Sequence, residues 1–170
     1  MREPGAILLV ACYELGHQPL AVAWPAAFLK MRGYAPSILD VSVEPLDADR
    51  VRRARVVAIS VPMHTALRLG TTVARRVREL NPGAHLCFFG LYATLNADYL
   101  LAHVADSVLG GEVEDALVEL VERLERGDGG GAAGAGEGLR NHEDGDQQTR
   151  GGWAPPRGLW PVESWRERVS

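Results

Sequence analysis

Cysteine is scarce in this chain, with two residues in 170, Cys12 and Cys87. Both lie inside or at the end of apolar runs, the pattern of reduced, buried thiols in a cytoplasmic protein and not of a disulfide scaffold. No CxxC or CxxxCxxC array exists, so the cysteines cannot assemble a zinc or iron–sulfur site. An excess of positive charge is missing too, the formal net charge being -4. Nucleic acid and anionic membrane both require a basic face, so neither is expected as a partner. The arginines that occur are grouped as RVRRAR and ARRVRE and read as solvated helix faces. Long apolar runs are lacking as well. The stretch MREPGAILLVACYELG is too short to span a bilayer and has no signal-peptide cleavage pattern.

Several phosphate and cofactor motifs are also absent. There is no GxxxxGK[ST] loop and no GxGxxG after the first apolar run. A phosphoacceptor receiver would need an Asp ending its third strand and a late Lys. Here the third strand ends in Ser60 and Val61, and the domain's only lysine is Lys30.

What is present alternates regularly. Apolar, β-branched runs at Ala6 to Cys12, Ser37 to Val43, Val56 to Val61, Ala84 to Phe89 and Ser107 to Leu109 read as strands. Between them lie helical patterns: PLAVAWPAAFLKM with Pro25 as an irregularity, a short EPLDADRVRRA helix, ALRLGTTVARRVREL closed by Asn-Pro-Gly, a single helix after GLYAT, and the acidic EVEDALVELVERLER. This alternation predicts an α/β fold with a doubly wound parallel sheet, flavodoxin-like, in the order 2-1-3-4-5. One domain is expected over residues 5–126. From Gly127 the composition turns to Gly, Asp and Glu, which predicts a disordered linker over 127–152. A Trp- and Pro-rich tail, 153–170, holds Trp153, Trp160 and Trp165 and reads as a docking segment for a partner or a neighbouring subunit.

In such folds ligands bind outside the carboxyl ends of the strands, at the switch between strands one and three. Four loops line that crevice: CYELGHQP, SVPMHT, GLYAT and GGEVE. Their candidate binding residues are Glu14, Gly16, His17, Ser60, Val61, Met63, His64, Gly90, Tyr92, Ala93, Gly110, Gly111 and Glu112. A Cys12–His17 nucleophile–base pair is disfavoured, because Cys12 closes an apolar strand and neighbours on an extended chain point to opposite faces. His85, His103 and His142 read as edge or solvated positions. No catalytic residue and no metal ligand is assigned.

These features together resemble the cobalamin-binding domain at the N-terminus of many radical S-adenosylmethionine proteins. AFLKMRGYAPSILD resembles the family's helix, Gly-Tyr and strand ending in Asp. VVAISVPMHTALRLGTTVARRVRELNPGAHLCFFGLYAT resembles its strand–Ser–helix–Asn-Pro–strand–"Gly-Gly-x-His-x-Thr" pattern. ADSVLGGEVEDALVELVERL resembles its closing "Asp-x-Val-x-x-Gly-Glu-x-Glu". The resemblance implies cobalamin as cofactor, a corrinoid as ligand, and a radical S-adenosylmethionine domain as partner, with homo-oligomerisation through the Trp-rich tail as the other route to assembly. Gly90 and Ala93 would pack against the nucleotide tail, Ser60 would hydrogen-bond it, Gly110, Gly111 and Glu112 would bound the pocket, and His17, Met63 and His64 would flank the corrin.

The departures are informative. Where cobalamin domains with a cobalt-ligating histidine have Asp-x-His-x-x-Gly, aligning Glu14 with the Asp puts Gly16 at the His position and Pro19 at the Gly, with His17 one residue out of register. Where the family has Gly-Gly-x-His, this chain has Gly90, Leu91, Tyr92 and Ala93. No iron–sulfur motif occurs in the chain, so radical chemistry is expected from a separate or split partner. The alternative expectation is a non-catalytic flavodoxin-like interaction module with a degenerate cofactor site.

Overall fold

A strand buried on both faces has to be apolar along its whole length, and β1 (Ile7–Ala11) and β3 (Val56–Ser60) are buried at every residue. The computed structural model describes residues 1–14 and 17–127. With β2 (Ser37–Asp40), β4 (His85–Phe89) and β5 (Ser107–Leu109) these strands make one sheet in the order β2-β1-β3-β4-β5. Every pairing is parallel, so the flavodoxin-like topology expected above is the observed one. The register aligns Asp40, Ala11, Ser60, Phe89 and Leu109 in a single row across the sheet. That row is the carboxyl edge, from which every crevice loop departs.

The helices are α1 (Leu20–Met31), α2 (Ala48–Arg53), α3 (His64–Leu80), α4 (Leu91–Leu95), α5 (Ala97–His103) and α6 (Val113–Arg126). Alternate residues of each strand serve opposite faces. Ile7 and Leu9 pack with Val22 and Leu29 of α1 and Leu117 and Val121 of α6. Leu8 and Val10 share the other core with Val73 and Val77 of α3, Phe88 and Leu100. Each fully buried Leu, Val or Phe contributes roughly 1.5–3 kcal/mol relative to an exposed one.

Three local features differ from the sequence expectation. The single helix after β4 is two, α4 and α5, split at Asn96, whose side-chain Nδ2 donates to the Tyr92 carbonyl at 2.8 Å and so competes with the helical ladder. Strand β2 stops at Asp40, because that carboxylate accepts hydrogen bonds from the Ser42 N–H (2.9 Å) and hydroxyl (2.6 Å) and turns the chain. Arg78, within ARRVRE, is not a solvated face residue. Its guanidinium donates to the Pro82 and Ala84 carbonyls at 3.1 and 3.0 Å and pairs with Asp106 at 2.8 Å.

Arg78 belongs to a polar clamp at the amino ends of the strands. Asn81, expected only to break α3, donates from Nδ2 to the carbonyls of Val51, Arg52 and Ala54 at 2.9, 3.3 and 2.7 Å. Asp106 also accepts from the Leu86 N–H at 2.7 Å, which fixes the start of β4. On the other face, Glu125 accepts from the Tyr34 hydroxyl (2.9 Å) and faces the amino group of Met1 (3.5 Å). Helix α6 ends on Gly127 in the left-handed conformation, φ 84°. The predicted linker beyond that residue and the Trp-rich tail lie outside the described residues. Among the described residues no helix is long and apolar enough to cross a membrane.

Candidate functional site

The tightest part of the crevice joins the loops after β3 and β4. The Val61 N–H donates to the Phe89 carbonyl at 2.9 Å, and the Tyr92 N–H donates to the Val61 carbonyl at 3.1 Å. Gly90 lies between them with φ 102°, and a Cβ there would sit 3.2 Å from the Val61 carbonyl oxygen. Both facts demand glycine for backbone reasons. Tyr92, the second residue of the short α4, is half-buried, and Ala93 after it is buried. His64, the first residue of α3, is exposed and meets the Tyr92 ring edge-on, with centroids 6.4 Å apart at 68°. Met63, the residue before it, is exposed at the same lip. Five predicted residues (Val61, His64, Gly90, Tyr92 and Ala93) are thus brought into one unit, floored by buried Ser60.

The β5 loop flanks this unit. A Cβ on Gly110 would strike the Thr94 side chain of α4, so glycine there lets the two loops close on each other. Gly111 has φ 70° with open space around it, and Glu112 is the exposed residue preceding α6. Glu14 and His17 belong to the other flank, where the His17 N–H donates to the Glu14 carbonyl at 2.8 Å. Gly16 lies outside the described residues. The β1 and β5 loops are three strand spacings apart, about 14 Å, so Glu14 and Glu112 bracket the crevice and do not meet.

The electrostatics argue against nucleophilic chemistry at the two thiols. Burial, then the Asp40 and Glu14 carboxylates, push the Cys12 thiol far above its ordinary value. Burial pushes the Cys87 thiol up to about 12, against a hydrogen bond from Ser107. Neither sulfur supplies a thiolate near neutral pH. Glu14 is half-buried, and burial followed by the charge of Asp40 raises its carboxyl above the usual range, partly offset by His17. Asp40 was named in the sequence as a strand-ending Asp but given no place in the site. The structure puts it at the carboxyl edge beside Ala11, where it acts on both Glu14 and Cys12.

Helix α3 opens on the crevice with no side-chain cap and no acidic residue in its first turn. By contrast, Asp47 caps α2 by accepting from the N–H groups of Asp49 and Arg50 at 2.9 and 3.1 Å. An uncapped helix start presents N–H groups and a positive dipole end. Large exposed apolar side chains occur on elements that begin at the same carboxyl edge: Leu20 opening α1, Met63 before α3, and Leu91 and Leu95 on α4. Of these, the sequence reading singled out only Met63. The available signal was leucine at the first positions of α1 and α4, helices that follow β1 and β4 at the carboxyl edge, where a solvated rim favours polar residues. Small residues at the floor, an apolar rim and the open start of α3 suit a broad, flat ligand carrying an anionic group. Among the described residues no cluster of three or more His, Cys, Asp or Glu is arranged to hold a metal ion.

A family model described as B12 binding domain matches residues 6–121. Among solved structures, a response regulator receiver domain protein (CheY-like) from Methanospirillum hungatei JF-1 is similar with a TM-score of 0.51 at 18% identity, over 74% of this chain and 98% of that one. A pilus assembly protein CpaE from Caulobacter crescentus CB15 aligns with a TM-score of 0.45 at 14% identity, over 71% and 94%. At such identities the receiver likeness speaks for the fold alone. None of the curated proteins matches the chain.

Proposed function

Because the chain belongs to the B12 binding domain family, matched over residues 6–121, we propose that it holds cobalamin across the carboxyl ends of its strands and serves as the cobalamin-carrying part of a radical S-adenosylmethionine system. The observation that carries the cofactor reading is the matched family together with the crevice of small floor residues, open α3 start and apolar rim. Bound cobalamin would supply a cobalt centre able to carry an alkyl group. This chain's own residues do the holding.

Ser60 would offer its hydroxyl at the floor of the slot between β1 and β3, with Gly90 and Ala93 packing against the nucleotide tail. The tail's phosphate is the anionic group suited to the N–H groups at the start of α3. Met63, Leu91 and Leu95 give the macrocycle an apolar seat, and His64 and Tyr92 form an aromatic wall beside it. Gly110, Gly111 and Glu112 bound the far side. Glu14 and His17 bound the near side. His17 stands one position past the place where a cobalt-ligating histidine would fall, so no protein ligand to cobalt is assigned.

The radical context rests on the motif resemblance and the missing Asp-x-His-x-x-Gly, and its enzyme partner would be a separate polypeptide or a further domain. A second reading, an interaction module with a degenerate cofactor site, draws on Leu91 occupying the place of the family's second glycine. One experiment separates the two. The purified protein is titrated with hydroxocobalamin and followed by visible absorbance. A retained corrinoid band, or a saturable spectral shift, is expected. Colourless protein with no shift would overturn the cobalamin reading and leave the second.

A further inference from the structure

Helix α1 is apolar nearly all the way round. Lys30 is the one charged or polar residue among its twelve, LAVAWPAAFLKM. One face is used by the core, through Val22, Pro25, Ala26 and Leu29. The opposite face carries Leu20, Trp24, Phe28 and Met31, spaced by three and four residues so that they form one stripe. That stripe is open. Leu20 is 62%, Trp24 60% and Met31 81% exposed, and Phe28 is half-buried against Trp24, ring centroids 6.4 Å apart. The neighbouring helix α6 does the opposite and turns Asp115, Glu119 and Arg126 outward beside a core face of Leu117, Leu120 and Val121. A helix that is hydrophobic on all sides is a buried helix, so something covers α1.

We propose that the cover is the chain's own segment 153–170, with its tryptophans laid on the α1 stripe. Three observations favour this occupant. First, the chain leaves α6 at the foot of α1, where Arg32 pairs with Glu122 at 3.6 Å just after Met31. Trp153 follows Gly127 by 26 residues (153 minus 127), a contour of up to roughly 90 Å, against about 18 Å for the whole of α1. Second, Trp153, Trp160 and Trp165 with Leu159 and Val162 concentrate the large apolar residues of the chain beyond Gly127. Third, the stripe is only four side chains, a smaller patch than the ~800 Å² per partner, about 20–30 residues a side, of a stable association of separate molecules. A tethered segment meets its site at a high effective concentration and can use so small a patch. A ligand seated on the rim does not serve instead, since Met31 lies about 16 Å down the helix from Leu20.

The test uses the full chain. Lys30→Cys places one nitroxide beside the stripe, because Cys12 and Cys87 are buried and unreactive. Indole N–H signals of the ¹⁵N-labelled protein are assigned with Trp→Phe substitutions at 153, 160 and 165. The expected result is loss of at least about half the intensity of one or more tail indole signals, recovered on reducing the nitroxide and on adding Met31→Glu at an exposed, fold-neutral position. Trp24, on the same helix, is the internal standard, losing its signal whenever its own chain carries the oxidised nitroxide and regaining it on reduction. Tail indoles that keep full intensity overturn the proposal. So does broadening that persists when the nitroxide is carried only by ¹⁵N-free copies, which would make a second chain the cover.

Discussion

At the amino ends of the strands, Asn81, Arg78 and Asp106 bind the end of α2, the end of α3 and the starts of β4 and β5 into one polar network. At the carboxyl ends the sheet meets glycines, an uncapped α3 and bare leucines. The same strands therefore finish in a pinned edge and an open one. Polar groups satisfied internally give rigidity, because leaving any of them unpaired is costly. Groups left facing outward give recognition. The two edges lie a strand's length apart, so each can change with little effect on the other.

The largest effect that would break this contrast comes from Asn81→Ala. It removes the donor to three carbonyls and is expected to cost about 1–3 kcal/mol, read by denaturant unfolding, with corrinoid affinity of the folded fraction unchanged. A parallel loss of affinity would mean that the pinned edge shapes the open one. Next in size is His64→Ala at the open edge. Stability should stay within about 0.5 kcal/mol, while the hydroxocobalamin titration weakens several-fold. Unaltered binding would remove the aromatic wall from the site. The smallest effect is a pH dependence at the pinned edge. His85 is held next to the Ser107 hydroxyl at 2.9 Å, and burial is the main cause lowering its pKa below the ordinary 6.5. The unfolded chain then takes up its proton first as pH falls. Stability should be complete above about pH 6.5 and decline below it. His85→Gln, which keeps a side chain able to bond Ser107, should flatten the melting temperature between about pH 7.5 and 5.5. An unchanged profile would assign the acid sensitivity elsewhere.

The sheet was legible because strands buried on both faces must be apolar throughout, and Ile7–Ala11 and Val56–Ser60 are. Strand order followed from the alternation with helices. The pinned edge was not legible. Asn81 reads as half of an Asn-Pro-Gly break, and nothing in a local window shows that its amide reaches the carbonyls of residues 51–54, some thirty positions earlier. Arg78 was hidden in the same way, inside a cluster of arginines that a local window reads alike. At the open edge, strand ends located Ser60, Val61 and Gly90, since position after a strand is a sequence property. The pairing of His64 with Tyr92 joins two loops 28 positions apart and needs the register of β3 against β4. Asn96 split a helix that propensity alone would continue, through a single side-chain bond to Tyr92.

Pro25 in the middle of α1 has a further consequence. It offers no N–H to the Ala21 carbonyl, and Pro19 precedes the helix without a side-chain cap. The first turn of α1 is therefore held by packing more than by its own ladder. In amide hydrogen exchange this turn should open before α6, whose end is closed by Gly127. Slowed exchange at Ala21 to Ala23 then becomes a direct readout of occupancy, whether the occupant sits on the rim beside Leu20 or along the stripe beneath it.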